Sequence, residues 1–220
     1  MSSRRELIAL SLKGLLAWAV LSGLGLYFGE WLGTALLPLI ETSIHWLAPE
    51  YASTLTLVPQ RPDALIQLSI RVLQPLQITA SHAIPQGKEL TMGTHLMHTL
   101  VPGVIELSIL SVWPVRDWVQ RLGLLLLGLV SALLVVAVTV PPLLLGLLEI
   151  SLQEVAQQFN EARPEPFILH WMIFCETGGR WLLAIGVAWG CILLLHKLVI
   201  NQALKYPVQR RPRQDAESRH

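Results

Sequence analysis

The segment from Leu122 to Leu148 contains 27 consecutive residues without a charged side chain, LGLLLLGLVSALLVVAVTVPPLLLGLL. As an α-helix it would be about 40 Å long, and the hydrocarbon core of a bilayer is about 30 Å thick. A helix buried inside a soluble protein is rarely so long and so uniformly apolar. Pro141 and Pro142 are expected to end or kink this helix, because proline lacks a backbone N–H. The segment therefore predicts a transmembrane helix.

Three further apolar stretches can also cross a membrane. Charged residues make up only 14% of the 220-residue chain, against about 25% in soluble domains, which argues against an ordinary soluble fold. We predict an all-α membrane protein with four transmembrane helices and a small extracytoplasmic β-hairpin subdomain. The predicted segments are an N-terminal segment 1–13, span one 14–37, an outer loop 38–90, span two 91–112, a link 113–121, span three 122–148, a second outer loop 149–166, span four 167–195 and a tail 196–220.

Basic residues are distributed unevenly between these segments. Of the 16 Lys and Arg residues, eleven lie in the N-terminal segment, the link or the tail, four lie in the two outer loops, and Arg180 lies within a span. Cytoplasmic segments of membrane proteins are enriched in Lys and Arg. The pattern predicts a multi-pass protein of a bacterial inner membrane with both termini in the cytoplasm. The polar, basic tail is expected to be disordered.

Two runs in the first outer loop alternate between apolar and polar residues. Leu55 and Leu57 alternate with threonines, and four aliphatic residues from Ile66 to Val72 alternate with polar ones. This period of two is typical of a strand with one buried face. The sequence therefore predicts a hairpin over residues 54–73, with room for a third strand over 76–79. Such a hairpin either caps the helices or offers its open edge to an extended peptide.

The ends of the first and third spans have two interpretations each. Ile40, Ile44 and Leu47 follow Pro38 at helical spacing. They predict either a short helix lying on the outer membrane surface or a continuation of span one. Residues 149–155 either begin the second outer loop or extend span three by one or two amphipathic turns. The sequence leaves both pairs of alternatives open.

Six ionisable side chains lie inside the predicted spans. A charged group in a bilayer costs roughly 2.5–3.5 kcal/mol on insertion scales, so it usually faces the bundle interior and has a partner. Counting residues from the cytoplasmic ends places five of the six near the outer boundary and one deeper. The five are Glu30, His95, His98, Glu176 and Arg180, and the deeper one is Glu106. We therefore predict a polar layer formed by three helices.

Glu176 and Arg180 are four residues apart, a spacing that puts them on one face of a helix. One interpretation is a structural pair, in which the two charges neutralise each other so that the helix can insert. The other is a binding site, because Gly178 and Gly179 leave room for a carboxylate or a lipid head group beside the planar guanidinium. We expect the two side chains to pair inside the bundle, with Glu30 or a histidine of span two nearby.

His95 and His98 raise the question of a metal site. With Glu30 or Glu176 they would supply imidazole and carboxylate ligands, which zinc accepts. Their spacing is H-x-x-H, without the H-E-x-x-H pattern of metalloproteases. We therefore predict no metal and no other cofactor.

Cys175 is the candidate for a nucleophile. A thiolate needs a base within hydrogen-bond reach, and His170 lies five residues away, a separation that turns it about 140° around a straight helix. His95 or His98 would have to serve instead. Cys191 lies among leucines and is expected to be a small apolar core residue. No catalytic residue is predicted.

The order of four sequence runs resembles that of small membrane proteins associated with exosortase systems of Gram-negative bacteria, particularly the exosortase-H-associated type. The runs are LAPEYASTLTLV, ALIQLSIRVL, THLMHTLVPGVIELSIL and HWMIFCETGGRWLLAIG. Exosortases use a Cys, an Arg and a His in transmembrane regions to process proteins with C-terminal sorting tails. This chain has Cys175, Arg180 and His95 or His98, but it has only four predicted spans. The resemblance therefore implies an accessory protein and not the peptidase.

The expected function is that of a non-enzymatic accessory protein of the inner membrane. Its predicted partners are membrane lipid and a larger membrane protein, with no nucleic acid. Two alternatives from other classes remain. One is a small membrane enzyme that uses Cys175 or a His/Glu site, and the other is a transporter subunit in which Glu106 is a proton-linked carboxylate.

Overall fold

The computed structural model describes residues 4–60, 63–78, 83–115 and 117–205. Within these ranges, a long helix is followed by five strands, a short helix, a second long helix, and two helices joined by a single π-helical turn. The elements are α1 Arg4–Leu47, β1 Tyr51–Val58, β2 Leu65–Val72, β3 Leu76–Gln77, β4 Ala83–Ile84, β5 Glu89–His95, α2 Leu96–Val112, α3 Trp118–Gln158, α4 Phe167–Phe174, the π-turn Cys175–Gly179 and α5 Arg180–Lys205.

Three helical segments are long and apolar enough to cross a membrane: Ile8–Leu47, Trp118–Gln158 and Phe167–Leu198. The remaining predicted span, span two, corresponds to α2, which has 17 residues and is therefore about 25 Å long. That length is slightly less than a hydrocarbon core of about 30 Å. Length and composition thus support three membrane-spanning helices and leave the fourth as a proposal.

The predicted hairpin is confirmed. β1 and β2 pair antiparallel from Tyr51 opposite Val72 to Val58 opposite Leu65. β2 is the central strand of a three-stranded sheet, because β5 pairs antiparallel with its other edge. The alternation also has the predicted effect, since Ile66, Leu68 and Ile70 are all 0% exposed.

The third predicted strand forms elsewhere. Leu76–Gln77 pairs with Ala83–Ile84 in a separate two-stranded sheet and does not extend the hairpin. The strand that completes the three-stranded sheet is β5, whose residues were assigned to the last part of the outer loop and the first turn of span two. Span two therefore starts as a helix only at Leu96, and the prediction that its helix begins at residue 91 is wrong.

The apolar face of the sheet packs on helix segments that continue beyond the expected ends of spans one and three. Ile40 and Ile44 of α1 are 0% exposed and belong to the same core as β2. From α3, Leu144, Leu148 and Leu152 join this core. We call the three-stranded sheet, together with these parts of α1 and α3, the sheet domain. Burial of its apolar surface is the dominant stabilising contribution.

Helix α1 continues through Pro38 to Leu47, so the alternative of a continued span is confirmed and that of a separate surface helix is wrong. Proline at this position removes one backbone donor. Two hydroxyls bind carbonyls in this region: Thr42 donates to the carbonyl of Pro38 at 2.7 Å, and Ser43 donates to that of Leu39 at 2.8 Å. At its other end α1 begins at Arg4, so residues 4–13 are helical as well.

Helix α3 also continues through its prolines, so of the two alternatives expected at Pro141 and Pro142, an end of the helix or a kink, the first is wrong. Pro142 cannot donate to the carbonyl of Val138, four residues earlier. The indole N–H of Trp171 donates to that carbonyl instead, at 3.0 Å. Of the two alternatives for residues 149–155, the extension of span three is confirmed, and the helix runs as far as Gln158.

The fourth predicted span is broken into two helices. The π-turn Cys175–Gly179 separates α4 from α5, and α5 continues to Lys205. Residues 196–205, assigned to a disordered tail, are therefore helical. The rest of that tail, 206–220, lies outside the described residues.

Helices α1 and α2 approach closely along a row of glycines. Gly25, Gly29 and Gly33 are four residues apart and all three are buried. A Cβ atom at Gly33 would lie 2.8 Å from Leu96 Cδ1, so a side chain there would displace the first residue of α2. Small residues at this spacing let membrane helices pack backbone to backbone. This row fixes α2 against the middle of α1.

Candidate functional site

The π-turn between α4 and α5 depends on two glycines. Gly178 has φ of 110°, a conformation that favours glycine because other residues carry a Cβ that clashes there. Gly179 is closely covered, since a Cβ atom on it would lie 2.4 Å from Phe174 Cε1. Single π-turns inside helices frequently occur at functional sites. Here the turn places Glu176 and Arg180 side by side.

The predicted pairing of Glu176 and Arg180 is observed. Nη2 of Arg180 donates to Oε1 of Glu176 at 2.6 Å, and the exposed fractions of the two side chains are 11% for Arg180 and 42% for Glu176. The guanidinium also donates to two backbone carbonyls: Nε to that of Cys175 at 3.2 Å and Nη1 to that of His98 at 3.4 Å. Arg180 therefore connects the π-turn to α2.

The histidines lie at the junction of β5 and α2. His95 is the last residue of β5, His98 is in the first turn of α2, and their rings are 5.8 Å apart edge to face. Asp63, from the connection between β1 and β2, accepts the backbone N–H of Met97 at 3.1 Å, and its Oδ2 lies 3.7 Å from Nδ1 of His95. Asp63 thus caps the N-terminus of α2. It was not predicted, because 34 residues separate donor and acceptor.

Glu30 does not take part in this cluster. Its side chain is exposed on α1, and it forms no ion pair within the described ranges. The polar layer expected from three helices is therefore formed by the β5–α2 junction and the α4–α5 segment. The layer contains His95, His98, Glu176 and Arg180.

Glu106 lies apart from the layer, as expected, and is 0% exposed. Its Oε1 accepts a hydrogen bond from the hydroxyl of Ser131, which is in turn 3.3 Å from Sγ of Cys191. Its Oε2 has no partner among the described residues. Glu106 thus links α2 to α3, and through Ser131 to α5. Cys191 is the buried core residue that its neighbours predicted.

The chemistry expected of a metal site or a catalytic cysteine is not assembled in the described ranges. No group of three or more His, Cys, Asp or Glu residues is positioned there to hold a metal ion. Cys175 is 2% exposed, and no described hydrogen bond joins its thiol to an imidazole. His170 lies 3.6 Å from Glu165 instead, on the exposed side of α4.

A second ion pair, which sequence analysis missed, joins the second outer loop to α3. Arg163 donates from Nε to Oε1 of Glu149 at 2.6 Å and from Nη2 to Oε2 at 3.2 Å. Its Nη1 donates to the carbonyls of Gln77 at 3.0 Å and Ile78 at 3.4 Å. Bidentate pairs of this kind are among the stronger hydrogen-bonded contacts in proteins. The only signal in the sequence was one arginine in a loop with four glutamates.

Two adjacent cavities lie in this region, and the second of them is lined by this pair. The first, the apolar groove, has a volume of about 620 Å³ and is lined by Thr42, Ser43, Trp46, Leu47, Ala137, Val138, Pro142, Phe167, Ile168 and Trp171. The second, the acidic pocket, has a volume of about 560 Å³, and its polar lining includes Glu50, Tyr51, Glu149, Arg163 and Glu165. Leu47 and Ile168 line both. Burial, followed by the charge of Glu50, raises the pKa of the Tyr51 phenol above its usual value, so this hydroxyl is uncharged at neutral pH.

Comparison with protein-family models, with characterised proteins and with solved structures finds no match to this chain. Its function therefore has to be argued from the two polar clusters, the cavities and the sheet.

Proposed function

We propose that this chain is a non-enzymatic accessory protein of the bacterial inner membrane that assembles with a larger membrane protein. It spans the membrane four times, with both termini in the cytoplasm and the sheet domain outside. The larger protein belongs to an exosortase-type protein-sorting system. Three helices long and apolar enough to cross a membrane support the first part of this proposal.

The case for α2 as a further membrane-spanning helix, in addition to the three long ones, rests on its contacts. One side of α2 packs on the glycine row of α1, and Leu110 packs on Gly128 of α3. The buried Glu106 contacts Ser131 of α3 in the same interface. Because α1 and α3 are membrane-spanning in length, a helix packed between them crosses the membrane with them. Its limited length is compatible with local thinning of the bilayer.

The observation that carries the assembly proposal is the open edge of β1. Within the described ranges this eight-residue strand pairs only with β2. Natural sheets protect exposed edges with charges, prolines, bulges or covering segments. The sequence of β1, YASTLTLV, contains neither a charged residue nor a proline. An unprotected edge of this length is therefore suited to pairing with an extended strand of another protein.

The proposed link to an exosortase-type system is supported by contacts between the sequence runs that carry the resemblance. The run THLMHTLVPGVIELSIL supplies His98, and HWMIFCETGGRWLLAIG supplies Glu176 and Arg180. Arg180 joins the two runs through the carbonyl of His98. The first two runs contribute β1 and β2. The residues of the resemblance thus supply two strands of the sheet and the Arg180 contact.

Topology is tested with reporter fusions in bacterial cells. Fusions after Lys205 are expected to report the cytoplasm, and fusions inserted beside Asp63 the periplasm, because basic residues are concentrated in the segments assigned to the cytoplasm. Paired alkaline phosphatase and fluorescent-protein reporters give opposite signals in the two compartments. A periplasmic signal after Lys205 would contradict the four-span topology.

Assembly is tested by measuring the size of the tagged protein extracted from its native membrane in mild detergent. The wild type is expected to migrate as a complex larger than its own micelle. Thr54→Lys together with Thr56→Lys, which puts charges on the open edge, should release the protein from that complex. Gln67→Lys is the matched control, since it adds a lysine opposite Thr56 on the central strand and leaves the edge unchanged. A wild type that migrates alone would contradict the accessory function.

The enzyme and transporter alternatives have separate tests. Cys175→Ala should leave the complex and its sorting activity unchanged if the chain is an accessory. The buried Oε2 of Glu106, which has no described partner, is the observation that favours the transporter alternative. Glu106→Gln would abolish proton-coupled transport but should leave assembly unchanged.

A further inference from the structure

The acidic pocket has an excess of negative charge. Its described lining includes three carboxylates, those of Glu50, Glu149 and Glu165, and one cationic side chain, that of Arg163. The bidentate contact with Glu149 neutralises that arginine. Glu50 and Glu165 are exposed and have no Lys or Arg partner among the described residues, and Glu165 has only an imidazole nearby, with Nε2 of His170 3.6 Å from its Oε2. Two carboxylates thus remain for a ligand with positive charge.

The hydrogen-bonding groups around the cavities also favour a ligand that donates. Each kind of donor on Arg163 is used, because Nε and Nη2 bind Glu149 and Nη1 binds backbone carbonyls. The indole N–H of Trp171 is used by Val138, and the hydroxyls of Thr42 and Ser43 bind carbonyls of their own helix. The charged groups that have no Lys or Arg partner are acceptors.

The adjoining apolar groove would accept large apolar side chains. Trp46 is 84% exposed and Phe167 is 77% exposed, and both line the groove. Pro141 lacks a backbone N–H and cannot donate to the carbonyl of Ala137 on the groove wall. The groove is therefore lined mainly by apolar side chains. The carbonyl oxygen of Ala137 is in addition an acceptor without the backbone donor that a helix normally provides.

We infer that the groove and the acidic pocket together bind a polypeptide segment of the membrane partner that carries a lysine or arginine next to large apolar side chains. The apolar residues lie in the groove, and the basic residue lies against Glu50 and Glu165. This inference rests on the proposed accessory function and identifies one of its docking surfaces. A phospholipid fits less well, because its phosphate needs a cation and the described lining supplies only Arg163, which is already paired with Glu149.

The test uses the full chain in phosphatidylcholine nanodiscs and a short, blocked, fluorescent peptide of leucines around one lysine. Two matched peptides replace the lysine with norleucine or with glutamate, and empty nanodiscs measure adsorption to lipid. The lysine peptide should bind saturably and about tenfold more tightly than the glutamate peptide, with norleucine between them. Equal binding of the lysine and norleucine peptides would overturn the inference, since the groove would then be a non-specific apolar surface.

Charge-neutral variants locate the site. Glu50→Gln together with Glu165→Gln should weaken binding of the lysine peptide about fivefold, the size expected for two exposed ion pairs, and leave the norleucine peptide unchanged. Glu154→Gln removes an exposed carboxylate outside the two cavities and should change neither. Both changes are at exposed positions, so thermal unfolding should match the wild type. Unchanged lysine-peptide binding in the double variant would overturn the inference.

Two further results distinguish peptide docking from lipid binding and from a failure of the accessory function. Full displacement of the peptide by added phosphatidylethanolamine would assign the cavities to lipid and overturn the inference. If the native complex forms but peptide selectivity is absent, the accessory function stands and this docking surface is wrong. If selectivity is present but no native complex exists, the accessory function fails, and so does the identification of the ligand as a segment of the membrane partner.

Discussion

Replacing Arg163 by alanine is expected to destabilise the sheet domain by about 3 kcal/mol, the lower end of the range for breaking a buried ion pair. The side chain of Glu149 is only 9% exposed and projects from helix α3, so removing Arg163 leaves a largely buried carboxylate without its cationic partner. The carbonyls of Gln77 and Ile78 also lose their donor. Guanidinium unfolding in mild detergent, followed by tryptophan emission, measures the loss.

Three further variants separate the pair from the arginine alone. Glu149→Ala should cost less than Arg163→Ala, because Arg163 keeps its backbone acceptors and lies on a loop that can reach solvent. The double alanine variant should also be milder than Arg163→Ala, since no buried charge is left without a partner. Arg71→Ala, at an exposed position on β2, is the matched control. An unfolding midpoint for Arg163→Ala equal to that of Arg71→Ala would contradict a stabilising role for the ion pair.

The hairpin was predictable because its signal is local. Each residue on one face of β2 is apolar, and each intervening residue from Leu65 to Val72 is more exposed than its apolar neighbours. β5 carries a similar alternation, with Leu90, Met92 and Thr94 on one face. It was missed because the helix of span two begins directly after His95 with no turn residue between them. The residues of β5 and α2 were therefore interpreted as one continuous helix.

The lengths of α1 and α3 could not be derived from hydropathy. Both helices continue into the sheet domain, where Ile44 and Leu152 are covered by other protein elements. Lipid and a protein core select the same apolar side chains, so composition does not separate the two environments. The prolines Pro141 and Pro142 suggested that α3 ends or kinks there, but the helix continues. The indole N–H of Trp171 donates to the carbonyl of Val138, which Pro142 cannot reach as a donor.

The candidate sites show the same division between local and distant contacts. Glu176 and Arg180 were paired correctly because they are four residues apart on adjoining helical turns. The partners Glu149 and Arg163 are 14 residues apart, and Asp63 and Met97 are 34 apart. In each of these contacts a loop residue binds a helix that is distant along the chain or lies across a turn, so the contact depends on the path of the loop in the folded protein. Without knowledge of the fold, no spacing rule identifies such partners.

Replacing Arg180 by alanine is expected to lower the amount of protein in the membrane several-fold. The change leaves Glu176 without its partner and removes the donor from the carbonyls of Cys175 and His98. The free-energy cost should be about 2 kcal/mol, below the usual range for buried pairs, because the Glu176 side chain is 42% exposed. Quantitative immunoblots of membrane fractions measure the amount, and size-exclusion chromatography in detergent measures the integrity of the folded chain.

A double-mutant cycle decides between a structural pair and a binding site at Arg180. Glu176→Ala alone should be mild, since Arg180 keeps two backbone acceptors, and the double alanine variant should be milder than Arg180→Ala alone. Glu30→Gln is the control, because it changes an exposed ionisable residue of α1 that forms no described ion pair. Normal protein levels with a lost native complex in Arg180→Ala would assign Arg180 to binding the partner. A double variant as harmful as the sum of both single changes would mean that the two residues do not act as a pair. Arg180 would then stabilise the packing of the π-turn on α2 through the backbone carbonyls of Cys175 and His98.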